Sequence, residues 1–220
     1  MARRAVPLAS PANSPNIGSM TGKSTRARPA DPGGPWLTGQ VLIAMPALTG
    51  GSFARSVIYM CAHTPDGAMG IVLNQPLARP SFEALLKTLG VTPLPPARRI
   101  RLHSGGPVDN GRGFVLHTVD WTDEGSLLVD GRLALTASLD ILKAIAQGGG
   151  PAQGLLALGY AGWGPGQLDR EMQENAWLTA PLGEDGLALV FDPDHASKWQ
   201  RAMARLGVDP MLLSGAAGHA

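Results

Sequence analysis

The stretch Gly154–Trp177, GLLALGYAGWGPGQLDREMQENAW, constrains this chain more than any other. An apolar strand over Leu155–Tyr160 runs into a turn carrying Gly162, Gly164 and Gly166, and a polar helix follows from about Gln167 to Asn175. Such a strand–turn–helix order needs glycine wherever the backbone takes a positive φ, and at least one of Gly162 and Gly164 is expected to do so.

The rest of residues 36–220 has the same punctuated character. Strand patterns occupy Gln40–Met45, Val57–His63, Ala68–Leu73, Ile100–His103, Phe114–Thr118, Leu127–Val129, Leu133–Leu135 and Leu187–Phe191. Pro65-Asp66-Gly67 and Asp130-Gly131 predict tight hairpins, so the sheet is mostly antiparallel. Helices are predicted where Ser81 precedes Phe82, Leu85, Leu86 and Leu89 with Gly90 to end the run, and where Ser138 precedes Leu139, Leu142 and Ile145 before Gly148. Asp192-Pro193 should open a helix through Trp199 and Met203 to Gly207, and Asp209-Pro210 a short last turn. This ordering suits an α+β domain.

Residues 1–35 read differently. They are rich in Pro, Ser, Gly and Ala, lack apolar periodicity, and carry Arg3, Arg4, Lys23, Arg26 and Arg28 with no acid before Asp31, which predicts a disordered basic tail. The overall charge of +1 hides this asymmetry. Without those five cations, 13 Lys and Arg face 17 Asp and Glu, a balance of −4; Asp31 itself lies in the tail, so residues 36–220 carry −3. Only Arg98, Arg99 and Arg101 cluster, which is too little for phosphate neutralisation, and specific nucleic-acid binding is not expected. Arg3-Arg4 lacks the apolar segment of an export signal. Ala144–Leu168 is uncharged, but eight glycines, two prolines and three glutamines disqualify it as a membrane span. A single cysteine allows neither an internal disulfide nor a cysteine zinc cage. The expectation is a soluble, cytoplasmic protein.

Candidate chemistry is sparse. Gly18-Ser-Met-Thr-Gly22-Lys23-Ser24 has three residues between its glycines where a phosphate-binding loop needs four. Cys61 and His63 should share a strand face, yet Cys61 alternates with Val57 and Tyr59 as a core residue would. His63, His103 and His117 with Asp109 lack a compact metal-ligand spacing, so no metal or other cofactor is expected. Gly162–Gly166 before a helix could receive an anion, but Asp169 and Glu171 oppose one and favour a structural turn anchored by Trp163. Ser104-Gly105-Gly106-Pro107 allows close approach of either backbone or ligand. Should a pocket exist, its rim is expected to combine Ser104, Gly105 and Gly106 with Gly162, Trp163 and Gly164, and with the uncharged donors Asn74, Gln75 and Gln167.

With GQVLIAMP at Gly39–Pro46, RSVIYMCAH at Arg55–His63, GAMGIVLNQP at Gly67–Pro76 and SGGPVDNGRGFVLH at Ser104–His117, the Gly154–Trp177 run resembles the bacterial AlgH/YqgE family. The resemblance implies a bifurcated, mostly antiparallel sheet curled into a pseudo-barrel with flanking helices. One name given to the family also implies regulation of alginate genes. Gly50-Gly51 stands where members commonly show Asp-Pro, and Ala62 where they show Glu, so no role of those acids carries over. Three functions compete: a non-enzymatic protein that binds a protein or small molecule and affects gene expression indirectly, a direct DNA-binding regulator, and an enzyme with a pocket near the two glycine turns.

Overall fold

The computed structural model describes residues 36–93 and 100–209, together with Leu213. The basic tail, the Gly18–Ser24 loop, Arg98, Arg99 and the turn expected after Asp209 lie outside these residues. In chain order the elements are β1 Gln40–Ala44, a 3-10 turn Gly51–Phe53, β2 Val57–Thr64, β3 Gly67–Val72, α1 Phe82–Thr88, β4 Arg101–Ser104, β5 Val108–Thr118, β6 Leu127–Leu128, β7 Leu133–Thr136, α2 Leu139–Ala146, β8 Gly154–Trp163, α3 Gln167–Gln173, β9 Trp177–Pro181, α4 Gly186–Phe191 and α5 Lys198–Arg205.

The strands form one curled sheet in the order β6-β7-β5-β8-β3-β2-β1-β9, with β4 joined to β8 off this path. Among the described residues only the β4–β8 pairing is parallel. The branch lies at β8: Leu155–Leu158 pair with β4, whereas Ala161–Trp163 pair with β3. Gly159, at φ +73°, marks the switch. It interrupts the alternation so that Ala157 and Tyr160 both face the inner core. That inner core runs along the whole sheet and is closed by Leu189 and Val190 of α4 and Trp199, Ala202 and Met203 of α5. The outer face divides in two, as the sheet does. Leu168 of α3 packs there with Phe53, Trp163 and Trp177, while Phe82 and Leu86 of α1 pack with Ile141 and Ile145 of α2 over β4 and the first half of β8.

Local chemistry explains most elements. Ser81 caps α1 by accepting from the Ala84 amide at 3.1 Å, and Gly90 ends the run at φ +69°. Ser138 precedes α2 but donates to Asp123 at 2.5 Å instead of capping. At the β6–β7 turn the work falls to Asp130, whose Oδ1 accepts from the amides of Arg132 (2.7 Å) and Leu133 (2.8 Å); Gly131 takes no positive φ.

Several expectations are corrected. Leu187–Phe191 is not a strand but most of α4, because a six-residue apolar run looks alike in either state; burial of Gly186, Leu189 and Val190 follows helical spacing. The sheet edge beside β1 belongs instead to β9, which pairs Gln40–Ala44 with Pro181–Trp177. Asp192-Pro193 does not open α5: Asp192 and Asp194 accept from the amides of Asp194 and Ser197, building turns that delay the helix to Lys198. Neither Gly162 nor Gly164 has positive φ; Gly159 and Gly166, at +73° and +63°, carry it.

Candidate functional site

The residues singled out from the sequence separate into two places. The loop after β4 crosses the branch point of the sheet. There the Gly105 amide donates to Leu158 O and its carbonyl accepts from the Val72 amide, so one glycine joins β8 to β3. Beside it lies a shallow cleft of about 320 Å³, lined by Gly51, Ser52, Ala54, Gln75, Ser104, Gly106, Pro107 and Asn110. Its side-chain polar groups are uncharged. Gln75 closes one wall, donating from Nε2 to Ser52 O at 2.7 Å, while its own carbonyl accepts from the Ser104 amide. Asn74 does not line the cleft; both ends of its amide are committed, accepting from the Val57 amide at 2.9 Å and donating to Arg55 O at 2.8 Å.

Gly51, Ser52, Ala54 and Asn110 were not anticipated. The signal for Asn110 was present in Asp109-Asn110-Gly111, three turn-forming residues in a row, and Asp109 indeed takes φ +51° inside β5.

Gly162, Trp163, Gly164 and Gln167 do not line this cleft. Gly162 pairs with Met69 of β3, while Trp163, Gly164 and Gln167 build a lock around Glu171. Its Oε2 accepts from the indole N–H of both Trp163 and Trp177 at 2.9 Å, and its Oε1 accepts from Gln167 Nε2 at 2.9 Å. Gln167 Oε1 in turn accepts from the Gly164 amide at 3.1 Å. Glu171 is 4% exposed and sits beyond the first turn of α3; Asp169 alone is the acid there. The expectation of a structural turn anchored by Trp163 thus acquires its atomic basis, although Glu171 acts through the indoles and not on the helix dipole.

Cys61 and His63 do not share a face. The β2–β3 register shifts between Met60 and Ala62, so Cys61 is the extra residue of a bulge. Cys61 joins the inner core. His63 turns the other way, accepting from the Leu37 amide through Nδ1 at 3.2 Å and meeting Trp36 edge-on, with Asp169 3.9 Å from its Nε2. Burial pushes the Cys61 thiol upward, and the nearby Asp130 carboxylate adds to the effect. We expect a thiol reagent to label native Cys61 at least about a hundredfold more slowly than the urea-unfolded chain, since the reaction must wait for the sheet to open. Equal rates in the two states would refute this placement.

Among the described residues no cluster of His, Cys, Asp and Glu could hold a metal ion. His117 bonds Thr136 Oγ1 and Thr118 O. His103 is 2% exposed and meets His195 edge-on at 4.8 Å; burial, reinforced by His195 and Lys198, lowers its pKa to about 4. Lys198 is fully buried, donating to Val190 O at 2.9 Å and Asp192 O at 3.2 Å; burial brings its pKa down to about 8. This second polar locus, between β4 and the start of α5, had no counterpart in the sequence reading. No helix among the described residues is long and apolar enough to cross a membrane.

A family model described as AlgH-like matches residues 41–211. A UPF0301 protein of Gluconobacter oxydans is 50% identical over 186 residues, covering 84% of this chain and 98% of its own length. Another from Rhodospirillum rubrum is 52% identical over 185 residues, covering 84% and 95%. The solution structure of the AlgH protein from Pseudomonas aeruginosa superposes with a TM-score of 0.68 at 42% identity, covering 88% of this chain and all of that one. A crystal structure of a Corynebacterium diphtheriae protein, 23% identical with a TM-score of 0.61 over 85% of this chain and 94% of its own, shares the fold. The branched, curled sheet, the glycine-built joint at β8 and the extent of these matches agree: the chain belongs to the AlgH-like family.

Proposed function

We propose that this chain is a non-enzymatic cytoplasmic binding protein, with residues 36–220 as its folded domain, and that it affects gene expression indirectly through a small molecule or protein held at the cleft beside Ser104–Pro107. The observation that supports this reading is the cleft's lining: Gln75, Ser104, Ser52 and Asn110 supply hydrogen-bonding groups without charge, around the closely packed glycine joint of the sheet. Such groups orient a neutral polar ligand. A charge of −3 on residues 36–220 disfavours direct recognition of duplex DNA.

The test is a ligand-observed NMR screen of small neutral polyols, sugars and amides against the full chain and an Asn110→Ala variant. Binding that falls about tenfold or more in the folded variant is the expected result, in line with the loss of one or two hydrogen bonds. In parallel, residues 36–220 should not bind promoter DNA more tightly than a scrambled duplex at physiological salt. Any binding by the full chain should be unspecific, fall steeply with salt and vanish when residues 1–35 are removed. Tight, sequence-selective binding by residues 36–220 would replace this reading with that of a direct regulator.

A further inference from the structure

The segment Trp36–Gly39 joins residues 1–35 to β1 and is fastened to β2 by three hydrogen bonds. The Leu37 amide donates to His63 Nδ1 at 3.2 Å, the His63 amide donates to Thr38 Oγ1 at 2.9 Å, and the Gly39 amide donates to Met60 O at 2.8 Å. Only the first of them depends on a titratable atom. A ring nitrogen that accepts a hydrogen bond carries no proton, so His63 is neutral in this arrangement and holds its proton on Nε2. Protonating Nδ1 would set one N–H against another. Bond and proton exclude each other.

His63 is enclosed in part by the segment it holds. Its side chain is 3% exposed, Trp36 meets its ring edge-on at 5.2 Å, and Leu37 packs against the outer core that contains Trp163. Trp36 itself is 40% exposed, so only part of its ring would lose apolar burial on leaving. Asp169 of α3, 3.9 Å from Nε2, is the charged group that acts on the ring; the segment itself, and β3, which pairs Ala68 with His63, contain no titratable side chain. Burial holds the His63 pKa beneath its ordinary value, and Asp169, 55% exposed, opposes this with the smaller effect.

We propose that Trp36–Gly39 is a proton-sensitive strap: neutral His63 holds Trp36 and Leu37 against β2, and a proton on Nδ1 releases them while the Gly39–Met60 bond keeps the turn behind them in place. The direction follows from linkage. Once Trp36 and Leu37 leave, the ring meets water and titrates near the ordinary histidine value of about 6.5, above its value under the strap. Release therefore takes up a proton. The strap is fully held above about pH 6.5 and is lost as pH falls from there toward the lower pKa of the covered ring. Its release moves the point at which residues 1–35 leave the folded domain. The device is separate from the uncharged cleft, none of whose lining residues belongs to it.

The test measures hydrogen exchange of the Leu37 and Gly39 amides in the full chain by NMR, as protection over the intrinsic rate, at about one pH unit above and about one below the ordinary histidine pKa, with the His63 ring signals followed in parallel. Leu37 protection is expected to fall at least about fivefold at the lower pH, the equivalent of one hydrogen bond, with Gly39 unchanged. His63→Asn offers an acceptor near the position of Nδ1 that does not titrate, so Leu37 protection should become flat with pH. Because His63 is buried, a second arm uses Asp169→Asn at an exposed carboxylate. Without the anion that favours the charged ring, the His63 titration should move to lower pH and the acid loss of Leu37 protection should grow. Equal Leu37 protection at both pH values overturns the proposal, as does a parallel loss at Gly39 or a loss that persists in the folded His63→Asn variant. An unmoved or raised His63 titration in Asp169→Asn overturns it too.

Discussion

Gly105→Ala is expected to abolish stable folding, and Gly106→Ala to do the same. A Cβ on Gly105 would stand 2.1 Å from Gly159 O and 2.8 Å from the Ala157 methyl; one on Gly106 would stand 2.2 Å from Tyr160 C, at a backbone φ of +146°. These obstacles are largely backbone, so relief requires moving β8, which holds β3, β4 and β5 together. Overpacking a core commonly costs about 1–3 kcal/mol even when side chains can yield. A clash against backbone should exceed that range, and at Gly106 about 1–3 kcal/mol of dihedral strain is added. The total approaches the roughly 5–15 kcal/mol that separates native from unfolded states. Gly111→Ala is the control, since its Cβ would meet nothing within 4 Å and its φ is ordinary; its thermal midpoint should stay within a few degrees of wild type. Circular dichroism melts of the three variants decide the matter, and a Gly105→Ala midpoint equal to wild type would show that the joint is looser than the structure depicts.

The same joint shows why the fold was only partly legible in the sequence. Alternation located β1, β2, β3, β7 and β8 to within a residue or two at their starts, because each buries one face against the inner core, and β4 likewise, whose Leu102 packs against the outer cluster under α1 and α2. It could not show that β8 exchanges one neighbour for another along its length. That exchange depends on backbone contacts between Gly105, Gly106 and Gly159, which are distant in sequence and have no side chains to carry a pattern. β9 escaped notice since Trp177 and Ala180 are buried on a short edge strand of mixed polarity ending in Pro181. α4 was misread for the converse reason, an apolar run too short to reveal its period.

The candidate site divides along similar lines. Ser104, Gly106 and Gln75 could be brought together on paper because two turn-rich segments each supplied small or uncharged residues. The contact between His103 and His195 could not, since the two lie far apart in sequence and no local pattern brings β4 to the loop before α5. Cys61 and His63 show the opposite failure. Two residues apart implied one face, and a single bulge placed them on two.

Glu171→Ala should lower stability by about 3 kcal/mol or more, because it strands two indole N–H groups at once and each buried unsatisfied donor costs roughly 1–3 kcal/mol. For a domain of this size the melting midpoint would fall by roughly 6–12 °C. Glu171→Gln separates hydrogen bonding from charge. Its side-chain oxygen can still accept from Trp163 and Trp177, while its NH₂ would face Gln167 Nε2, which must then turn its own amide and surrender the Gly164 bond. We therefore expect Gln to recover about half of the loss seen with Ala. Tryptophan fluorescence supplies an independent readout, since Trp163 and Trp177 pack edge-on at 6.0 Å and should both gain solvent contact when their shared acceptor is removed. A Glu171→Ala midpoint and emission maximum indistinguishable from wild type would mean that the glycine turn holds without the lock. The role of Gly162–Gly166 would then have to be sought in ligand contact after all.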